Sequence, residues 1–268
     1  MNLEQSNNLM ISIWYGEKRT IQDIDSLKMA LTKVTTEKEC ILLINELFKL
    51  GDFSAKGLLI QLLNTAQEEN VLNLCIRLFC SVVTHDDLLK NENFLFLSNV
   101  SDDNANTFAS CAPDTLSYEV IPYLLALLEE WEDIYVEQTI RDSLDIMLGY
   151  YKVLGENVSV DEIGQFYLNH LKEINPKKYY YRQELVFPGN LAKRLIEKAI
   201  LTVKTNSSIE MEIIPCLLSV WSGKKCPVEY DTVITDEKVK EVFSYVDSLS
   251  RMDWKKGSKY FYSYLIDE

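Results

Sequence analysis

The chain has 268 residues, with 41 acidic and 27 basic side chains and a formal net charge of −14. Its apolar fraction of 47% is that of an ordinary globular protein, which excludes a disordered chain. The sequence holds only 9 glycines and 6 prolines, whereas sandwiches and barrels need a turn residue every 8 to 12 positions or so, and an all-β fold is therefore excluded as well.

The predicted elements begin with an N-terminal extension over residues 1–20, in which alternating apolar residues favour a short strand. Apolar residues spaced three and four positions apart then predict about ten helices. These helices are predicted at 22–34, 37–50, 54–66, 69–83, 117–130, 133–151, 160–174, 189–204, 208–221 and 236–250. An aromatic tail over residues 251–268 alternates again and favours a second short strand.

Three of the helix starts carry a capping box, in which a hydroxyl and a carboxylate three residues apart satisfy backbone N–H groups. The boxes are Thr36 with Glu39, Ser159 with Glu162, and Ser207 with Glu210. A long interval at residues 85–116 lacks such signals and is rich in Asn, Asp and Ser. Because this composition is typical of loops, we expect a long and partly ordered insertion there.

Two nine-residue segments repeat at a spacing of 93. Residues 119–127 read EVIPYLLAL and residues 212–220 read EIIPCLLSV. The proline at the same place in both is tolerated in a first helical turn, where its missing N–H costs no hydrogen bond. The spacing is roughly two periods of a 40 to 47 residue helical hairpin. The chain therefore resembles HEAT or armadillo repeats, which implies a single all-α solenoid domain over residues 1–268 that binds another macromolecule.

The motifs favour no catalytic or metal site. The two histidines, His85 and His170, lie far apart, and the sequence places neither beside a cysteine that could act as a nucleophile. The six cysteines lack the spacing of zinc ligands. Residues 102–106 begin like a calcium loop, but Thr107 stands where that loop needs glycine. We therefore predict a protein that is not an enzyme and has no metal, cofactor or small-molecule substrate.

The spacing of the cysteines indicates no disulfide bonds, because there is no Cys-x-x-Cys motif and the chain is too large to need disulfides. The N-terminus has no basic residue ahead of a short apolar run, and no segment reaches the roughly 18 apolar residues of a membrane span. We therefore expect reduced cysteines, a cytoplasmic protein and no membrane partner.

Residues 177–182, with the sequence KKYYYR, interleave cations with aromatic rings. Surfaces that bind single-stranded nucleic acid do the same, because bases stack and phosphates pair with cations. The alternative is that the tyrosines pack into a loop between helices. The acidic excess of the chain repels phosphates and favours the second interpretation, so we expect no direct nucleic-acid partner.

Acidic residues concentrate in one half of the chain. Residues 1–134 contain 21 acids and 9 bases, and residues 135–268 contain 20 acids and 18 bases. Within 86–133 there are 11 acids and one base. Such a run is either a solvated face or a surface that steers a basic protein. The predicted partner-binding residues are Asp86, Asp87, Asp102, Asp103, Glu129, Glu130, Trp131, Glu132 and Asp133.

Trp131 lies inside this acidic run and has two interpretations. It is either an interface anchor, since buried aromatic residues often dominate binding energy, or a plug in the gap between two helices. The sequence leaves both open.

Two terminal segments, SIWYGEK at residues 12–18 and WKKGSKYFY at residues 254–262, carry a family resemblance. Together with the acidic helical pattern, they resemble the HEAT-like all-α immunity proteins of bacterial polymorphic toxin and contact-dependent growth inhibition systems. The resemblance implies that the chain binds a cognate toxin domain, often a basic nuclease, stoichiometrically and covers its active site or substrate path. Two alternatives remain open: a general helical-repeat adaptor, and a HEAT-like DNA glycosylase, which would need a cationic surface.

Overall fold

The computed structural model describes residues 23–131, 134–205, 207–211 and 213–266. The predicted all-α class is confirmed, because helices dominate this part of the chain and its strands are very short. Numbered in chain order among the described residues, the α-helices are α1 Ile24–Leu31, α2 Glu37–Lys49, α3 Lys56–Thr65, α4 Glu69–Val82, α5 His85–Leu88, α6 Asp102–Cys111, α7 Ile121–Glu130, α8 Ile134–Leu148, α9 Tyr151–Leu154, α10 Val160–His170, α11 Pro188–Thr205, α12 Ile214–Ser222 and α13 Asp236–Ser250.

Short 3₁₀ helices and two β-hairpins complete the described secondary structure. The 3₁₀ helices are Phe53–Ala55, Asn91–Asn99, Ala112–Thr115, Tyr118–Val120 and Leu171–Glu173. Each hairpin is an antiparallel pair of two-residue strands. The strands are β1 Tyr180–Tyr181, β2 Glu184–Leu185, β3 Tyr260–Phe261 and β4 Tyr264–Leu265.

The chain divides into two compact units. The first unit contains Lys28–Ile44 and Phe53–Leu185, and the second unit contains Asn45–Asp52 and Val186–Ile266. Each has a core of fully buried apolar residues. A single repeat domain over the whole chain therefore stays a prediction.

A stripe of apolar side chains on α4 lies at the centre of the first unit. The predicted positions are all buried, namely Val71, Leu74, Cys75, Leu78, Phe79 and Val82. Helix α4 packs against α3 and α6, and α6 packs against α8. Because each large apolar side chain contributes about 1.5 to 3 kcal/mol when it is fully buried, this stripe is the main reason that α4 forms where it does.

Residues 85–116, where we expected a partly ordered insertion, contain α5, α6 and two of the 3₁₀ helices. Ala105 and Phe108 on α6 are fully buried and lie three residues apart on one helical face. The polar residues that suggested a loop serve partly as caps. Ser101 accepts the backbone N–H of Asn104 at the start of α6. The sequence pattern of a capped helix was thus present, but its apolar stripe was short.

The repeated segments both begin helices in the same way. Helix α7 starts at Ile121 and α12 starts at Ile214, each one residue before the repeated proline. Their packing differs, because α7 contacts α8 and α10, whereas α12 contacts α11. The repeat therefore describes a shared helix start, and the HEAT or armadillo arrangement of the helices stays a prediction.

The predicted helix start at residue 208 is wrong. The N–H groups of Ile209 and Glu210 donate to backbone carbonyls of Thr232 and Tyr230, at 3.0 and 2.9 Å. This pairing with a later loop replaces the capping box expected from Ser207. A capping motif is local, whereas the competing loop lies more than 20 residues further along the chain, so the sequence pattern alone could not reveal the competition.

The other two predicted helix starts are confirmed. Ser159 and Glu162 form a complete capping box at the start of α10. The hydroxyl of Thr36 accepts the N–H of Glu39 at 3.2 Å in the first turn of α2. At both starts the cap satisfies backbone groups that no helical bond reaches.

The two hairpins repeat each other at a spacing of 80 residues. In each, a strand tyrosine accepts the backbone N–H of a residue five positions earlier, Tyr180 from Asn175 at 2.9 Å and Tyr260 from Lys255 at 2.7 Å. Both two-residue tips have positive φ, as type I′ turns require. Where one short C-terminal strand was predicted, the structure has two strands joined by a turn at residues 262 and 263. The predicted N-terminal strand and the extension at 1–20 lie outside the described residues.

The tip of the second hairpin closes the C-terminal end of α12. The last four carbonyls of a helix, here those of residues 219–222, have no partner inside the helix. The N–H groups of Gly223, Tyr262 and Ser263 donate to three of them, and the hydroxyl of Ser263 donates to the fourth. All four are therefore satisfied, although three of the four donors lie some 40 residues away in sequence.

Replacing Gly223 with alanine should lower the free energy of unfolding by about 1 to 3 kcal/mol. Gly223 has a φ of 65°, and a Cβ there would lie 2.7 Å from the Tyr262 ring. Gly57 is the matched control, because it lies in the first turn of α3 and a Cβ there would meet no atom within 4 Å. Urea unfolding should show Gly57→Ala at or slightly above the stability of the original chain, by up to about 1 kcal/mol. Equal destabilisation by both would contradict the close approach at Gly223.

Candidate functional site

Both histidines contribute to the packing of one polar cluster in the first unit. His85 is buried, its Nδ1 lies 2.7 Å from the Ser117 hydroxyl, and its ring stacks on Tyr179 with centroids 4.2 Å apart. His170 is half-buried, and its Nε2 lies 3.2 Å from the Tyr118 hydroxyl. The two histidines therefore form hydrogen bonds with two consecutive residues, Ser117 and Tyr118. Burial lowers the pKa of His170, and the nearby Glu173 carboxylate offsets this only in part.

The tyrosines of residues 177–182 belong to the same cluster. The ring of Tyr180 stacks on that of Tyr118 at 5.5 Å, and its N–H donates to the carbonyl of Leu116 at 2.8 Å. Tyr179 and Tyr181 are buried. These rings contribute to the interior of the first unit and are not arranged as a stacking platform for bases. The interpretation that they pack into a loop is confirmed.

Four buried cysteines have thiols with little nucleophilic character. Burial raises the pKa of Cys111 to about 12 and that of Cys226 to about 11. Burial also raises the pKa of Cys75 and Cys40. A thiolate is the reactive form of cysteine, so these thiols stay protonated near neutral pH. In the described part of the chain, no group of three or more His, Cys, Asp or Glu side chains could hold a metal ion.

The second unit contains a cavity of about 370 Å³ where the start of α11 meets the end of α13. Its walls are mostly apolar, and Trp254 is held in place there by a 2.8 Å bond from its Nε1 to the Leu249 carbonyl. Among the described residues that line it, Asp253 carries the only charge.

Acidic residues are more frequent in the part of the chain that forms most of the first unit than in the part that forms most of the second. Residues 53–185 carry 21 acids and 9 bases, a net charge of −12, whereas residues 186–266 carry 10 acids and 12 bases, a net charge of +2. All nine predicted partner-binding residues fall in the first of these ranges. Glu132 and Asp133 lie outside the described residues.

Asp102 and Asp103 are exposed in the first turn of α6, where the helix dipole favours carboxylates. The structure brings Glu69 to them, because the hydroxyl of the cap residue Ser101 donates to Glu69 at 2.6 Å. Glu37 in turn accepts the N–H groups of residues 67 and 68 at the start of α4. Three helix starts therefore lie side by side and form an acidic edge, which we define as Glu37, Glu68, Glu69, Asp102 and Asp103.

Glu37, Glu68 and Glu69 are not among the residues predicted from the sequence, because they precede the acidic run at 86–133. A usable signal was present. Each of the three lies in or just before the first turn of a predicted helix, and Asp102 and Asp103 lie in the first turn of α6, which was not predicted. What the sequence did not provide was the adjacency of the three helix starts.

Asp86 and Asp87 are neighbours with different environments. Asp86 is exposed, whereas Asp87 is buried and its Oδ2 accepts from Lys56 Nζ at 2.6 Å and from the N–H and hydroxyl of Thr84. Burial by itself raises the pKa of Asp87, but the Lys56 ammonium and the Thr84 bonds outweigh it, and the pKa is lowered. Asp87 therefore stabilises the fold and does not belong to the accessible surface.

Glu129 and Glu130 are exposed in the last turn of α7. Carboxylates are unfavourable at a helix C-terminus, where the helix dipole is negative, and no basic residue lies in that turn to balance them. Trp131 follows as the half-buried C-cap residue. Among the described residues, no hydrogen bond or ion pair joins this group to Asp102 or Asp103. The acidic residues thus form two separate groups, and the second conflicts with local helix stability.

An all-α protein with exposed acidic residues on rigid helices has the properties of a protein that binds a basic partner. The profile of one such family, immunity protein 47, matches residues 6–266. The chain therefore belongs to the immunity protein 47 family, and its resemblance to bacterial toxin immunity proteins is confirmed. A toxin is the partner that this family implies. No curated protein and no solved structure matches the chain. Within the described residues, no helix is both long and apolar enough to cross a membrane.

Replacing Asp87 with asparagine should lower the free energy of unfolding by about 1 to 3 kcal/mol, because Lys56 would lose its partner and the start of α5 would lose a charged acceptor. The exposed neighbour provides the control: Asp86→Asn should change stability by less than about 0.5 kcal/mol. Thermal and urea unfolding of both variants check this. Equal stability of the two variants would contradict a stabilising role for Asp87, and Asp87 would then again be a candidate for partner binding.

Acidification should destabilise the protein in part through His170. Its folded-state pKa is depressed, so its contribution to stability is present above the unfolded value of about 6.5 and is lost as the pH falls through the folded value. Urea unfolding between pH 8 and 5 should therefore show a smaller loss of stability in His170→Gln than in the original chain. Identical pH profiles would show that protonation of His170 does not oppose folding.

Proposed function

We propose that this chain binds a cognate bacterial toxin domain in the cytoplasm and neutralises it stoichiometrically. We further propose that the toxin is a basic nuclease of a polymorphic toxin or contact-dependent growth inhibition system. The observation that carries the second part is the net charge of −12 on residues 53–185, set against +2 on residues 186–266.

A nuclease binds phosphates through a cationic surface. An acidic helical surface is complementary to that surface, and it repels nucleic acid itself. The proposed toxin contacts are the exposed residues Asp86, Asp102, Asp103, Glu129 and Glu130, with Glu132 and Asp133 as further candidates from the sequence. Covering the substrate path of the toxin requires no reaction by this chain.

Neutralisation without catalysis is supported by the state of the reactive groups. The thiols of Cys111 and Cys226 are buried and protonated, and the two histidines are hydrogen-bonded within the fold. A general helical-repeat adaptor would share these features, but membership in an immunity family favours a toxin as the partner. A DNA glycosylase is disfavoured, because it would need a cationic surface facing the phosphates.

Stoichiometric action predicts a linear titration. The toxin domain encoded beside the gene for this chain is mixed with increasing amounts of the purified protein, and its residual activity is measured. The activity should fall in proportion to the added protein and reach its minimum at one equivalent. Full protection at a few hundredths of an equivalent would indicate catalysis, and no protection at a large excess would refute the proposed function.

The acidic groups should act first on association. Two variants test them: Glu129→Gln, Glu130→Gln, Glu132→Gln and Asp133→Asn combined, and Asp102→Asn with Asp103→Asn. Each should slow association with the toxin domain and flatten its dependence on salt, because long-range attraction is weakened. Asp231→Asn with Asp253→Asn is the control, since it removes two exposed charges from the second unit. Equal effects of all three variants would mean that only net charge matters.

A further inference from the structure

One exposed face of the first unit combines aromatic rings with an acidic group held in a fixed position. We propose that this face, formed by Tyr135, Gln138, Asp142 and Tyr151, is the anchor site that receives basic side chains of the cognate toxin. The proposal rests on the proposed function, which it deepens by naming the contact residues. We call these four residues the tyrosine face.

Helix geometry places three of the four side chains together. Tyr135, Gln138 and Asp142 lie at positions i, i+3 and i+7 of α8, so they share one side of that helix. The opposite side of α8 is buried through residues such as Val136, Ile140 and Leu144. The tyrosine face is therefore the solvent side of a helix whose other side is fixed in the core.

A hydrogen-bond network holds Asp142 in one orientation. Its Oδ1 accepts from the Tyr151 hydroxyl at 2.9 Å and from Gln138 Nε2 at 2.8 Å. Tyr151 is itself fixed, because its N–H donates to Asp145 Oδ1 at 2.8 Å. Burial raises the pKa of Tyr151, so its hydroxyl remains a donor to the carboxylate. Asp142 is exposed, and its Oδ2 has no hydrogen-bond partner among the described residues.

This arrangement leaves one carboxylate oxygen exposed and the carboxylate already ordered. A toxin cation that binds there does not have to restrict the Asp142 side chain, which removes part of the entropic cost of binding. The remaining oxygen, Oδ2, can accept a hydrogen bond from an arginine or lysine side chain of the toxin.

Tyr135 supplies the aromatic part of the face. Its side chain is 71% exposed, which is unusual for a large ring in a folded unit. Val153 and Leu154 continue the apolar surface beyond Tyr151 and are 68% and 37% exposed. Tyrosine is enriched where proteins bind each other, because it offers a large rigid surface at low entropic cost. A cation placed over its ring gains a further attraction.

The surrounding charges select the partner. Glu129 and Glu130 lie at the end of α7, shortly before α8 in sequence, and Asp145 lies on α8 itself. Arg141 does not neutralise them, because its guanidinium pairs with Glu137 at 2.8 Å and donates to the Val158 carbonyl. Lys152 is the exposed cation nearest in sequence. A basic partner is favoured, whereas a second copy of this chain, with its net charge of −14, is repelled.

The test measures affinity for the toxin domain encoded beside the gene. Tyr135→Ala and Asp142→Asn should each weaken binding by about tenfold or more, and Asp142→Lys should weaken it further and slow association. Tyr135→Phe should bind within about threefold of the original chain, because the ring face is retained. Matched controls come from the second unit, where Tyr230 is 55% exposed and Asp231 is exposed beside it. Tyr230→Ala and Asp231→Asn should not change binding.

The outcomes separate the two proposals. If the original chain neutralises the toxin and both tyrosine-face variants bind as tightly as it does, the tyrosine face is not the anchor and the proposed function stands. If the original chain neither binds nor protects, both proposals fail together. Thermal melting confirms that each variant is folded. Should Tyr135→Ala melt early, Asp142→Asn decides the matter, since this exposed substitution preserves the size of the side chain.

Discussion

The ends of the helices impose the constraint on which this structure depends. A helix leaves its first N–H groups and last carbonyls without internal partners, and burying them unpaired is costly. In this chain some of the partners are local caps, such as Ser159 and Thr36, and others come from segments distant in sequence. Glu37 accepts from residues 67 and 68, Ser101 joins Glu69, and the tip of the second hairpin satisfies the last carbonyls of α12. Each such contact ties two elements together and also orients the helices that it caps.

This constraint also places charge on the surface. Carboxylates are stabilising at helix starts, so the acidic edge of the first unit is compatible with stability as well as with binding. Glu129 and Glu130 are different, because they lie at a helix C-terminus, where the dipole opposes them. A residue that conflicts with local stability and has no internal partner is a better indicator of function than one that also serves as a cap. The tyrosine face lies just beyond these two residues in sequence.

The groups that would suggest catalysis are used in the interior instead. His85 and His170 form hydrogen bonds with Ser117 and Tyr118, respectively. The rings of Tyr179 and Tyr180 stack on His85 and Tyr118. Five of the six cysteines are buried. The surface of the first unit includes exposed carboxylates and aromatic rings on rigid helices, which is compatible with the proposed binding of a basic toxin.

The sequence by itself determined the all-α class, the positions of most helices and the location of the acidic charge. These depend on local periodicity, which is visible along the chain: the stripe on α4 and the capping box at Ser159 are both present in the structure as predicted. The sequence alone also indicated the family through its terminal segments. It did not reveal α6, whose apolar stripe is short, or the failed helix start at residue 208, where a later loop competes.

Tertiary structure decided which acidic residues are available to a partner. Asp86 and Asp87 are indistinguishable in sequence, but Lys56, 31 positions before Asp87, draws only the second into the interior. Glu69 joins Asp102 and Asp103 because α4 and α6 pack against each other. Asp142 is ordered because Tyr151 folds back over α8. In each case the deciding contact is between residues separated along the chain, and no local pattern encodes the position of both.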